Sequence, residues 1–236
     1  MDYTYLDCLA LFGVGGAHPG GLQLTKETIA KENINDSTAI LEIGCGTGQT
    51  AAYLAQKFGC SISAVDANRI MVEKAQQRFE SLNLSIDVKL GNTESLPHTE
   101  DSFDFVLSES VISFTHIPPT LSELKRVLKP NGVIIAIETV LEQRTPEEEW
   151  NHIKEFYGFP QLLTEKEWHQ AFAEAGYQHV DILKYEPRIG QMDAQHAADF
   201  ALSEHIDDAL LEILEKHEEI TKENKHILGY RIFRCS

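Results

Sequence analysis

Leu41-Glu42-Ile43-Gly44-Cys45-Gly46-Thr47-Gly48-Gln49 is the stretch whose reading decides the fold. It completes the short apolar run Thr38-Ala39-Ile40-Leu41-Glu42-Ile43 and carries it into closely spaced glycines. That is the pattern of a buried parallel strand entering a tight turn. A backbone without Cβ atoms can approach a ligand closely, and the helix that follows presents free N–H groups. A dinucleotide fingerprint has the spacing Gly-x-Gly-x-x-Gly, which seats a pyrophosphate at the helix start. Here the spacing is Gly-x-Gly-x-Gly and position 49 is Gln. Alone, the loop predicts a ligand at a strand end without choosing it.

Working outward, the hydrophobic period changes repeatedly. A helix is expected from about Gly48 to Phe58, a strand over Ser61–Val65, and an amphipathic helix from Asn68 to Ser81 with Ile70, Ala75 and Phe79 inward. Further strands are read at Asp87–Leu90, Phe103–Leu107 and Gly132–Ile137, with a helix at Pro119–Leu128 stopped by Lys129-Pro130-Asn131-Gly132. Pro146–Tyr157 and Glu165–Ala175 read as helices, His179–Tyr185 and Ile227–Phe233 as the last two strands. Strands alternating with helices imply right-handed crossovers and a doubly wound α/β sheet covered on both faces. Between the last two strands, Ala197, Phe200, Ile206, Leu210, Ile213, Leu214 and Ile220 recur at helical spacing, which reads as a helical insertion. Its role is open between sheet packing and a lid.

The chain has 236 residues, enough for one large domain, and a formal net charge of -17. A protein that grips a nucleic-acid backbone concentrates Lys and Arg, so a nucleic-acid partner is not expected. The four cysteines (Cys8, Cys45, Cys60, Cys235) lack paired spacing, so neither a disulfide framework nor a metal site is expected. His196, His205 and His217 likewise form no compact ligand pattern. Without a basic leader or a long apolar run, the chain reads as cytoplasmic with no membrane partner, as a monomer or homodimer.

Asp66, 18 residues beyond Gly48, follows the second strand, where a carboxylate can accept both ribose hydroxyls; the lesser alternative is a cap on the helix after it. Met71 suits either an adenine contact or the core. Gly91-Asn92-Thr93-Glu94-Ser95-Leu96-Pro97 follows the third strand. The glycine loop, with Glu42 ahead of it, resembles the first motif of class I S-adenosylmethionine-dependent methyltransferases. The second segment resembles that family's Gly-Asp-Ala-Glu-x-Leu-Pro, with Asn92 replacing the common Asp. Asp101–Leu107 and Leu124–Gly132 also resemble family segments, the latter similar to Arg-Val-Leu-Lys-Pro-Gly-Gly. These blocks span roughly residues 38 to 138 in the family's order.

The resemblance implies a Rossmann-like seven-stranded sheet, mostly parallel with an antiparallel last strand. It also implies S-adenosylmethionine as cofactor and a small-molecule methyl acceptor, with quinone-ring and other metabolite methyltransferases as the nearest group. The implied cofactor residues are Glu42, Gly44, Cys45, Gly46, Gly48, Asp66, Ala67, Met71, Asn92, Thr93, Glu94 and Ser108. Glu42 would set negative potential near the cationic end of the cofactor, or remain a solvated strand-end acid. Asn92 keeps a neutral acceptor for the adenine amine.

For the reaction itself, Glu109 at the fourth strand's end is a candidate to take a proton or bind a cationic acceptor. The glycine-rich run Phe12–Thr25 suits a flap, and its His-Pro-Gly-Gly-Leu-x-Leu-Thr portion resembles a segment of some bacterial small-molecule methyltransferases. That makes His18 the second catalytic candidate, against a surface turn histidine. Tyr3 and Tyr5 could reach the pocket from the amino terminus, with surface packing the simpler reading. The expected organisation is a single domain: an N-terminal flap or helix at 1–36, a cofactor core at 37–140, and a C-terminal half from 141 with the insertion at about 188–225. The alternatives are an NAD-dependent oxidoreductase and a cofactor-binding module without catalysis.

Overall fold

The computed structural model describes residues 3–183 and 199–236. The strands of its main sheet are β2 (Ala39–Ile43), β3 (Ser61–Asp66), β4 (Asp87–Leu90), β5 (Phe103–Glu109), β6 (Leu128–Leu141), β7 (Val180–Leu183) and β9 (Leu228–Cys235). The short strands β1 (Val14–Gly15) and β8 (Asp199–Phe200) form a separate antiparallel pair. The helices are α1 (Tyr5–Phe12), α2 (Gly21–Ile29), α3 (Gln49–Phe58), α4 (Arg69–Ser81), α5 (Ile117–Val127), α6 (Asn151–Tyr157), α7 (Glu165–Glu174) and α8 (Asp208–Glu223).

The main sheet has the order β4-β3-β2-β5-β6-β9-β7, parallel except for β9, which runs antiparallel to both β6 and β7. From β2 the chain winds outward through β3 and β4, then returns to β2's other side for β5 and β6. The direction of winding therefore reverses between β2 and β5, and the crevice beyond their carboxyl ends is where such sheets bind ligands.

Period-two alternation explains the layering. Leu41, Ile43, Ile134 and Ala136 face the side covered by α5 and α7, where Leu121, Leu124, Trp168 and Phe172 complete the core. Ile40, Val133, Ile135 and Ile137 face α2, α3 and α4, with Leu24, Leu54 and Phe79 opposite. Both faces are buried, so β2 and β6 read as continuous apolar runs.

Three features differ from the sequence reading. Lys129–Gly132 does end α5, but within β6: Phe103 pairs with Leu128 and Phe105 with Val133, so the intervening residues bulge out. In the insertion, Phe200 lies in β8 and pairs with Val14 instead of extending a helix; α8 begins at Asp208 and buries Leu210 and Ile220. From Gly21 onward the glycine-rich N-terminal run is helical and buries Leu24, Thr25 and Ile29 in the core. Lys184-Tyr185, His196, Ala197 and the start of the insertion lie outside the described residues. No helix among those described is long and apolar enough to cross a membrane.

Candidate active site

A cavity of about 1520 Å³ opens at the switch point. Its wall includes His18, Glu42, Gly44, Cys45, Gly46, Asp66, Ala67, Met71, Asn92, Thr93, Glu94 and Glu109. They converge because β2, β3, β4 and β5 are parallel and end on the same edge. Gly48 and Ser108 are the two sequence candidates that stand outside the wall. Gly48 begins α3 with φ 74° and packs against Phe79. Ser108 is fully buried, and its hydroxyl donates to Glu138 at 2.8 Å. The pleat turns Ser108 away from the crevice.

The glycine loop is shaped for an occupant. Gly44 and Gly46 have φ of 59° and 53°, a region that L side chains rarely adopt. A Cβ on Gly44 would collide with Val111, whereas one on Gly46 would meet nothing within 4 Å. The Gly46 N–H donates to Asp66 Oδ2 at 2.8 Å, and the Asn68 N–H donates to Oδ1 at 2.8 Å. Asp66 thus ties the loop to β3. Burial raises its pKa above the ordinary value against the opposing pull of these N–H groups. The cap of α4 is Asn68, whose side chain accepts from the Ile70 N–H. Each Asp66 oxygen keeps a further lone pair for a ligand.

Glu42 is 3% exposed, and its Oε2 has no hydrogen-bond partner among the described residues. Burial pushes its carboxyl well above the usual range, and neighbouring Glu109 and Asp66 add to the shift. A buried carboxylate without a partner is costly unless a cation meets it. At the far rim, Asn92 Oδ1 accepts from the Glu94 N–H at 2.9 Å, and Glu94 Oε1 accepts from the His116 N–H at 3.0 Å. Those bonds with His116 hold Glu94 below its ordinary pKa. Met71 and Thr93 are buried behind this rim.

His18 and Glu109, far apart in sequence, meet: Nε2 lies 3.5 Å from Oε1, with side chains 2% and 8% exposed. Thr25 donates to Glu109 Oε1, and Thr50 donates to Oε2 at 2.8 Å. His18 Nδ1 faces the Pro19 carbonyl at 3.2 Å. A carbonyl only accepts, so Nδ1 carries hydrogen and Nε2 is the nitrogen turned to the carboxylate. Such an arrangement can accept or relay a proton.

The sequence reading missed three contributors and preferred surface packing for a fourth. Tyr5 is buried and lines the cavity, contrary to surface packing; the Thr4-x-x-Asp7 capping box that starts α1 was its available signal. Tyr157 and His217 also line the wall, brought together from α6 and α8 with no local signal. Glu138, fully buried on β6, accepts from the hydroxyls of Ser108 and Ser113 and the N–H groups of Val111, Ile112 and Ser113. It holds the segment after β5 that carries Val111 and Phe114 to the cavity.

A doubly wound sheet with a glycine cradle at its switch point and an acid after the next strand defines a protein that binds a nucleoside-bearing ligand. The comparisons with known proteins specify which. A family described as a methyltransferase domain matches residues 40–132. The chain is 39% identical over 229 residues, 97% of each protein, to an uncharacterized methyltransferase, YodH, of Bacillus subtilis (strain 168). It is 25% identical over 209 residues to phosphoethanolamine N-methyltransferase 1 of Arabidopsis thaliana, covering 84% of this chain and 42% of that protein. Among solved structures, phosphoethanolamine N-methyltransferase 2 of Haemonchus contortus in complex with S-adenosyl-L-methionine aligns with a TM-score of 0.77 at 17% identity, over 99% of this chain and 57% of that one. The chain belongs to the methyltransferases, and its fold is that of class I S-adenosylmethionine-dependent enzymes.

Proposed function

We propose that this chain transfers a methyl group from S-adenosylmethionine to a small-molecule acceptor by in-line displacement. The observation that carries the reading is one continuous cavity of about 1520 Å³ from the glycine loop to an aromatic wall. Ligand sites usually measure about 300–1,000 Å³, so this one has room for a cofactor and a second molecule together. The open space over Gly46 and the unpartnered oxygen of Glu42 fit the cofactor's methionine end. Glu42 would face its ammonium, Asp66 the ribose hydroxyls, and Met71 with Asn92 the adenine. Ala67, Thr93, Glu94 and Cys45 would line the same half. When bound, the cofactor supplies an already activated methyl group.

The protein's own work is then positioning, exclusion of water and proton management. Glu109 lies beside Glu42 and is held by Thr25 and Thr50, with His18 against it. This pair would take a proton from the acceptor's nucleophilic atom. Four free, buried cysteines accord with a reducing cytoplasm.

The test incubates the protein with methyl-labelled cofactor and a size-fractionated cell extract. Label is expected in a small-molecule product. Label appearing only in protein or nucleic acid would sink the proposal.

A further inference from the structure

Besides the glycine loop, the cavity wall includes the rings of Tyr5, Phe114, Tyr157, Phe159 and His217. The rings support one another: Tyr5 meets Tyr157 edge-on at 4.8 Å, His217 stacks on Tyr5 at 5.1 Å, and Phe114 lies 4.6 Å from Phe159. Faces and edges presented together are the surface against which another ring stacks or a cation settles.

Within this wall one tautomer of His217 leaves a ring N–H for a ligand. The Tyr157 hydroxyl lies 2.8 Å from His217 Nδ1 and 3.4 Å from Thr221 Oγ1; where the phenol donates to the nearer atom, Nδ1 accepts. Burial holds the imidazole below its ordinary pKa against the opposing pull of Glu218, which favours the neutral ring. With Nδ1 accepting, Nε2 carries hydrogen, and it has no hydrogen-bond partner among the described residues. Charge gives a second constraint. Among the described residues no lysine or arginine lines the cavity, while Asp7 and Glu218 line this side of it. A phosphate or carboxylate placed here would be desolvated beside acids with no lysine or arginine among the described residues to meet it.

Resting on the reading that a small acceptor enters this cavity, we propose that the acceptor is an uncharged or cationic ring compound. Its ring packs on the Tyr5–Tyr157 wall, a carbonyl-type oxygen or ring nitrogen accepts from His217 Nε2–H where the compound carries one, and anionic compounds are turned away.

The test uses the full chain loaded with S-adenosylhomocysteine, with loading verified first by calorimetry. Three probes of one shape are then titrated: phenylacetone, 2-phenylethylamine and phenylacetate. Ketone and amine are expected to bind saturably, and phenylacetate at least about tenfold more weakly, a penalty of the size that one uncompensated charge imposes. His217→Phe keeps a ring against Tyr5 but removes the donor. It is expected to weaken phenylacetone about fivefold, the worth of one hydrogen bond, and to leave 2-phenylethylamine and S-adenosylhomocysteine unchanged. Phenylacetate binding as tightly as the ketone, no saturable binding by any probe, or equal losses for ketone and amine in His217→Phe would each overturn the proposal. The extract experiment reads small-molecule transfer independently, so failure of that broader reading is seen separately.

Discussion

Glu42 sits beside Glu109 and Asp66 with one carboxylate oxygen unpartnered among the described residues, and burial raises its pKa well above 4.5. The folded protein therefore holds this proton more tightly than the unfolded chain does. Its contribution to stability is complete at low pH and is lost as pH rises from about 4.5 through the raised value. Glu42→Gln is neutral at every pH and keeps an oxygen beside the backbone N–H of Ala51, which opposes the raised pKa of Glu42. The variant should melt about 2–4 °C above the parent at pH 8, as expected for about 1 kcal/mol in a chain of this size, with the gap closing near pH 5. Its affinity for S-adenosylhomocysteine should fall in the same samples; a pH-independent gap would refute the ionisation argument. Asp66 makes the complementary case, since its two backbone bonds leave lone pairs for ribose hydroxyls. Asp66→Ala should weaken S-adenosylhomocysteine about 10- to 100-fold by calorimetry, the range for charge-assisted hydrogen bonds, while circular dichroism stays native. Unchanged affinity would remove the ribose assignment. Both acids are legible in the sequence because each adjoins the end of a recognisable strand. Tyr157 and His217 are not, because only the packing of α6 against α8 joins positions 60 residues apart.

The segment that follows β5 depends on another element for its shape. Ser110 has φ 58° without being glycine, and the donors just beyond it converge on Glu138 of β6. Every group facing that carboxylate donates, so the pattern is complete only with two accepting oxygens. Glu138→Gln places an amide NH2 against donors and leaves buried N–H or O–H groups unmet. A loss of about 2 kcal/mol follows, seen as a melting point lower by about 4–8 °C. Because the segment carries Phe114 and follows Glu109, turnover should fall more than cofactor affinity. Equal losses in both would mean that Glu138 supports only the fold. Element positions were largely readable, since β2 is apolar nearly throughout and α4 and α7 each bury one face, although α4 turns Met71 rather than Ile70 inward beside Ala75 and Phe79. The β1–β8 pair was not: two residues per strand give no periodicity, and their partners lie 186 residues apart (Val14 and Phe200).

On the scale of the whole molecule, the sheet's switch point fixes where the cavity opens, and the distant N-terminal and insertion segments cover it. Val14 pairs with Phe200 and Gly15 with Asp199, and the Ala201 N–H donates to the Gly13 carbonyl. This strap is fastened to the cofactor core through α4. Arg78 pairs with Asp199 while its Nε donates to the Thr47 carbonyl at 2.7 Å, and Lys74 donates to the Ala201 carbonyl. One guanidinium thus joins the strap to the glycine loop, so loosening the strap should be felt where the cofactor binds. The Arg78–Asp199 pair is partly exposed, with side chains 22% and 33% accessible, so its direct contribution to global stability is modest, about 1 kcal/mol or less. Asp199→Ala should therefore leave the melting point within about 3 °C of the parent, the shift that such a contribution allows. It should accelerate amide exchange at Gly15 and Ala201 and shorten the residence time of S-adenosylhomocysteine. Exchange that quickens equally across β2, β5 and β6 would identify general destabilisation. Faster exchange confined to the strap, with faster ligand release, requires that the strap and the glycine loop open together.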